Sequence, residues 1–114
     1  MELIAHEIDR NVMILSADGG LNSANAAAFV SDVEQLIDGG LSQLIIDCDR
    51  LEYVSSYGLG VLLGLSKRMK ARGGEIKLAG LQGLVVQALH IARLDALFQI
   101  YTDVDQARLA FRAE

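Results

Sequence analysis

The sequence predicts an α/β domain with a mixed β-sheet: an N-terminal hairpin, further strands paired in parallel, and about four α-helices packed on them. Three observations carry that expectation. Two β-rich runs open the chain with no helical segment between them. From residue 22 onward, amphipathic segments alternate with short apolar runs. Paired glycines, Gly39-Gly40 and Gly73-Gly74, close two of the helical segments ahead of a strand.

The elements follow in order. "ELIAHEI" alternates apolar and polar residues, "NVMILSA" is β-rich, and the short "DRN" between them suits the tight turn of an antiparallel hairpin. "DGG" breaks the pattern. "LNSANAAAFVSDVEQLIDGG" reads as a helix that Asn22 or Ser23 can cap, with Ala26, Phe29, Val30, Val33, Leu36 and Ile37 on one face. "SQLIIDC" is a continuous apolar run, the pattern of a strand buried on both faces. "DRLEYVSS" reads as a loop. "YGLGVLLGLSKRMKAR" is the second helix, with Lys67, Arg68, Lys70 and Arg72 near its C-terminus, where cations suit the helix dipole. "EIKLAG" is a strand. "GLVVQALHIARL" is a helix with Val85, Val86, Leu89 and Ala92 as its core stripe. "LFQIY" is a last short strand, and "DVDQARLAFRAE" a last short helix with Asp103 as its cap. The order is ββαβαβαβα. Helical crossovers between short strands imply parallel pairing.

Composition limits the function classes. The 114 residues suit one domain, 1–114, with a real core. A net charge of -5 argues against binding nucleic acid or an anionic membrane surface. No apolar run is long enough to insert into a membrane, and the N-terminus lacks the pattern of a secretory signal. With one cysteine, Cys48, there is no internal disulfide, which agrees with a cytoplasmic location. In this setting Cys48 reads as a buried small hydrophobe.

Ser55 and Ser56 stand where loop gives way to helix. A hydroxyl there can cap the free amides of the first turn. The same place suits a phosphate, because exposed amides and the positive end of the helix dipole both favour an anion. A phosphoserine there would change the sign of the surface without melting the helix. After the serines, "YGLGVLLGL" has no charged side chain, and Leu59, Leu62, Leu63, Leu65 and Val61 spread around most of the helix. Either some of these are exposed as a protein-binding patch, or a neighbouring helix buries them. Gly58, Gly60 and Gly64 would be explained by close approach of another backbone.

Other chemistry fits less well. "GLGVLLG" has the wrong glycine spacing for a dinucleotide loop. "SSYG" is not a G-x-S-x-G nucleophile elbow. Nothing places His6 or His90 beside Ser56 as a base. Asp47, Cys48 and Asp49 are adjacent along a strand end, so they do not converge on a metal. Asp49 reads as solvated. No catalytic residue, cofactor or metal is expected.

The stretch "LIIDCDRLEYVSSYGLGVLLGLSKRMKARGGEIKLAG" resembles the central signature of STAS domains, and more specifically is similar to bacterial anti-sigma-factor antagonists. The matching pieces are Asp47, "SSYGL" from Ser55 to Leu59, Gly73-Gly74 and "IKLAG", with "ALHIARLDALFQIYTDVDQA" fitting the family's C-terminal pattern. The resemblance implies a non-enzymatic module. Its partner would be an anti-sigma factor that is also a GHKL-type serine kinase, with a serine phosphatase as the reversing activity. The phosphorylated residue would be Ser56, with Ser55 the second candidate. The partner-binding residues would be Asn22, Ser23, Ser55, Tyr57, Gly58, Leu59 and Leu62. Phosphorylation would release the partner and so regulate transcription by partner switching. The alternative is a constitutive STAS adaptor subunit of a transporter or larger regulatory complex, with no phosphorylation cycle. Three departures stand out. Tyr57 replaces a small residue, Gly20 and Asn22 stand where the family often has Glu and Asp, and Arg93 stands where it often has Gly.

Overall fold

The computed structural model describes residues 2–9 and 12–112. The strands are β1 (Glu2–Asp9), β2 (Val12–Leu21), β3 (Gln43–Asp47), β4 (Leu51–Val54), β5 (Glu75–Ala79) and β6 (Gln99–Tyr101). The helices are α1 (Ala26–Asp38), α2 (Ser56–Ala71), α3 (Gly83–Ile91) and α4 (Val104–Arg112), with a single 3-10 turn at Asp95–Leu97. The sheet order is β1-β2-β3-β5-β6, and β4 pairs with the far end of β2. β1 and β2 are antiparallel and the other pairs are parallel. The mixed α/β architecture is the expected one. The turn expected at residues 9–11 lies largely outside the described residues.

Strand alternation divides the core in two. Leu15, Ala17 and Leu21 of β2, with Leu44 and Ile46 of β3 and Ile76 and Leu78 of β5, face α1, α2 and α3. On the opposite face, Val12, Ile14, Ile45 and Ala79 meet Ala107 and Phe111 of α4. β3 is buried on both faces, as its continuous apolar run predicts: Leu44, Ile45 and Ile46 are all at most 1% exposed. Cys48 joins the larger core, and burial, helped by the Asp47 charge, pushes its thiol up to about 12. Lys77 is also fully buried, on the α4 face, where it donates to Glu75 (2.9 Å) and Gln99 (2.5 Å) and lies 4.3 Å from the Phe111 ring centre. Asp103 caps α4 as expected, its Oδ1 accepting from the Gln106 amide at 2.8 Å.

Three expectations need correction, and one open alternative is decided. "DRLEYVSS" is not all loop, since Leu51–Val54 pairs with β2. The alternatives for α2 are decided for burial: Leu59, Leu62 and Leu65 are buried, and Val61 and Leu63 pack against the same core, with α2 packed on the sheet and beside α1. Val86 and Ala92 are exposed and leave the core stripe of α3 to Val85 and Leu89; α3 ends at Ile91, so Ala92 lies beyond its last turn. Neither Asn22 nor Ser23 caps α1, because the chain makes a turn first and Asn25 takes the N-cap position, without a side-chain cap bond.

Arg93 has a physical reading. Its φ is 57°, in the left-handed region. It follows the C-cap of α3, and the Arg93 and Leu94 amides donate to the His90 and Leu89 carbonyls. Such a helix end prefers glycine, which has no Cβ to clash there.

Candidate functional site

The parallel strands end together, and the segments that follow them form one end of the domain. β4 runs straight into α2 through Ser55. The Ser55 amide donates to the Leu21 carbonyl at 2.9 Å, which fastens the start of α2 to the end of β2. Ser55 has extended backbone (φ -78°, ψ 168°), as an N-cap requires. Its Oγ accepts from the Gly58 amide at 3.0 Å, and its carbonyl accepts from the Leu59 amide. Ser55 is thus held by three bonds and half-buried.

Ser56 is the first residue of α2 and is exposed. Among the described residues none hydrogen-bonds its hydroxyl. The next residue, Tyr57, is 62% exposed. One further on, Gly58 is pressed against the core. A Cβ there would lie 2.8 Å from Val54 Cγ2 and 2.9 Å from the Leu21 carbonyl oxygen. Gly60 and Gly64 would meet nothing within 4 Å, so the close approach considered for all three glycines holds at Gly58 alone. The helix start is therefore seated by Ser55 and Gly58 and presents Ser56 and Tyr57.

The neighbouring turn is knit by asparagines. Asn22 Oδ1 accepts from the Ala24 amide at 2.8 Å, and its Nδ2 donates to the Tyr53 hydroxyl. Asn25 Oδ1 accepts from the Asn22 amide at 2.9 Å, and its Nδ2 donates to the Gly20 carbonyl at 2.7 Å. Ser23 is exposed. Asp47 Oδ1 accepts from the Asp49 amide, and the exposed Asp49 accepts from Gln82 Nε2 at 2.5 Å. His90 sits near the far end of α3, 3.3 Å from Asp95.

Sequence reasoning missed Tyr53. The β2–β4 register shifts between Gly19 and Gly20, so Gly19 pairs with Leu51 and Gly20 with Tyr53. This bulge absorbs Glu52, keeps both Leu51 and Val54 inward, and sends Tyr53 to the other face. There the ring crosses Gly20 so closely that a Cβ on residue 20 would lie 2.0 Å from Tyr53 Cε1. No local pattern in "LEYV" signals the bulge.

The STAS domain family model matches residues 4–107. The chain belongs to the STAS domain family. This STAS domain is 30% identical over 98% of its length to BtrV of Bordetella bronchiseptica, provisionally named an anti-sigma factor antagonist, and covers 96% of that protein. A crystal structure of a Thermotoga maritima protein with the same provisional name superposes with a TM-score of 0.90 at 25% identity, covering 96% of this chain and 94% of that one. The antagonist SpoIIAA shares the fold in both its unphosphorylated and phosphorylated forms, with TM-scores of 0.72 and 0.73 at 15% and 16% identity; the matches cover 98% and 99% of this chain, and 97% and 100% of SpoIIAA. Of the partner-contact residues expected from sequence, this STAS domain presents Ser23 and Tyr57 at its surface and half-buries Asn22 and Ser55. Gly58, Leu59 and Leu62 are buried and belong to the core.

Proposed function

We propose that this STAS domain is a phospho-switched anti-sigma factor antagonist, a binding module of the cytoplasm rather than a catalyst. Unmodified, the surface around Ser56 binds an anti-sigma factor that is also a GHKL-type serine kinase. That kinase phosphorylates Ser56, the complex dissociates, and a serine phosphatase resets the module. The observation that carries the reading is the division between adjacent serines. Ser55 supplies the helix cap, and Ser56 is left exposed with its hydroxyl unengaged among the described residues. A phosphate on Ser56 sits at the positive end of α2, where the fold tolerates it. In a closely packed complex the same dianion has no partner and forces release. The names of the curated relatives and the two forms of SpoIIAA support this reading.

The test is intact-mass spectrometry with phosphopeptide mapping on protein purified from its native cells. The expected result is a fraction heavier by one phosphate, carried by Ser56. A single unmodified mass across growth and stress conditions supports the constitutive adaptor instead, with Ser56 reduced to a surface residue.

A further inference from the structure

We propose that Tyr53 is a specificity-determining contact at this site, and that its exposed ring face receives an arginine or lysine side chain of the anti-sigma factor; this rests on the function proposed above. Three observations lead there. Tyr53 is 41% exposed although its ring lies against Gly20, so the ring is partly covered by the strand and partly open. Its hydroxyl is tied to Asn22, which fixes the ring in place before any partner arrives. A preorganised aromatic ring at an exposed edge has the properties of an interface anchor. Tyr53 also lies two residues before Ser55 on the strand that runs into α2, so it is continuous with the Ser56 site.

Charge selects the kind of partner. Asp18, two residues from Gly20 on the same strand, has a 39% exposed side chain, and Glu52 at the bulge is exposed. From residue 47 to 57 the acids are Asp47, Asp49 and Glu52, and Arg50 is the one cation. Arg50 reaches Asp18 only at 3.9 Å with its side chain 79% exposed, a weak surface pair. A ring whose neighbours along the chain carry net negative charge attracts a cation both through its quadrupole and through the field of those neighbours. Gly20 is part of the device. Any side chain at residue 20 displaces the ring, so glycine there and the aromatic platform are coupled.

The experiment measures affinity for each GHKL-type serine-kinase anti-sigma factor of the source organism, purified singly, with thermal melts run alongside. Wild-type protein, Tyr53→Phe, Tyr53→Leu and Gly20→Ala are compared. Tyr53→Phe retains the ring but loses the Asn22 bond that holds it, so it is expected to bind about threefold more weakly than wild type, while Tyr53→Leu and Gly20→Ala each weaken binding about tenfold. Tyr53→Leu binding as tightly as wild type overturns the proposal, since an apolar contact would tolerate Leu. Tyr53→Phe failing as badly as Tyr53→Leu also overturns it, because the hydroxyl rather than the ring face would then matter. If Tyr53→Leu unfolds, Tyr53→Phe and Gly20→Ala decide. If wild-type protein binds none of the kinases, the proposed function itself fails, an outcome distinct from loss in the variants alone.

Discussion

Two helix starts lie side by side at the strand ends, and they are built in opposite ways. At α1, Asn22 and Asn25 direct their side-chain oxygens to amides of the loop and the helix has no side-chain cap. At α2, a single side chain, that of Ser55, caps the helix, and the next residue faces solvent. The first arrangement makes a rigid turn from a loop. The second makes a rigid platform with a displayed hydroxyl. A modifiable residue is better served by the second kind, because a capping serine is held against the helix amides and half-buried while its neighbour is displayed.

The comparison can be broken by substitution. The largest stability loss is expected at Gly58→Ala, where the new methyl meets Val54 and the Leu21 carbonyl; overpacking of this kind costs about 1–3 kcal/mol in denaturant unfolding. Gly60→Ala, with open space around it, should instead raise stability by up to about 1 kcal/mol. Asn25→Ala removes two bonds of the α1 turn and is expected to cost about 1–2 kcal/mol. Ser55→Ala removes the α2 cap at a cost of about 1 kcal/mol. Arg93→Gly relieves a left-handed residue and should gain about 1 kcal/mol, read as a rise in Tm of a few degrees. Ser56→Ala is expected to stay within about 0.5 kcal/mol of wild type in the same unfolding assay. A loss at Ser56 as large as that at Ser55 would erase the distinction between the two serines.

Much of this was legible in the sequence because the signals were local. The continuous run Leu44–Ile46 marks a strand covered on both sides, and the helix stripe at Phe29, Val33 and Ile37 marks one buried face. The place of Ser55 and Ser56 at a helix start could be read the same way. Which serine caps could not, since that depends on where α2 begins to within one residue. The fate of Leu59 and Leu62 was hidden because it depends on how elements distant in sequence, the sheet and α1, pack around α2. Tyr53 was hidden because its direction is set by a register shift against β2, a cross-strand property absent from "LEYV" itself. Arg93 could be matched to a family glycine by position, but only its φ of 57° gives the reason.

The most direct measurement is the affinity of a purified partner kinase for unmodified protein, Ser56→Ala and Ser56→Asp. A phospho-switch centred on Ser56 predicts that Ser56→Ala binds as wild type does, takes up no phosphate and is not released when ATP is added. It predicts that Ser56→Asp binds about a hundredfold more weakly, because a buried unpaired charge costs several kcal/mol. Equal binding by wild type and Ser56→Asp would contradict the switch and leave Ser56 as an ordinary surface residue at the start of α2.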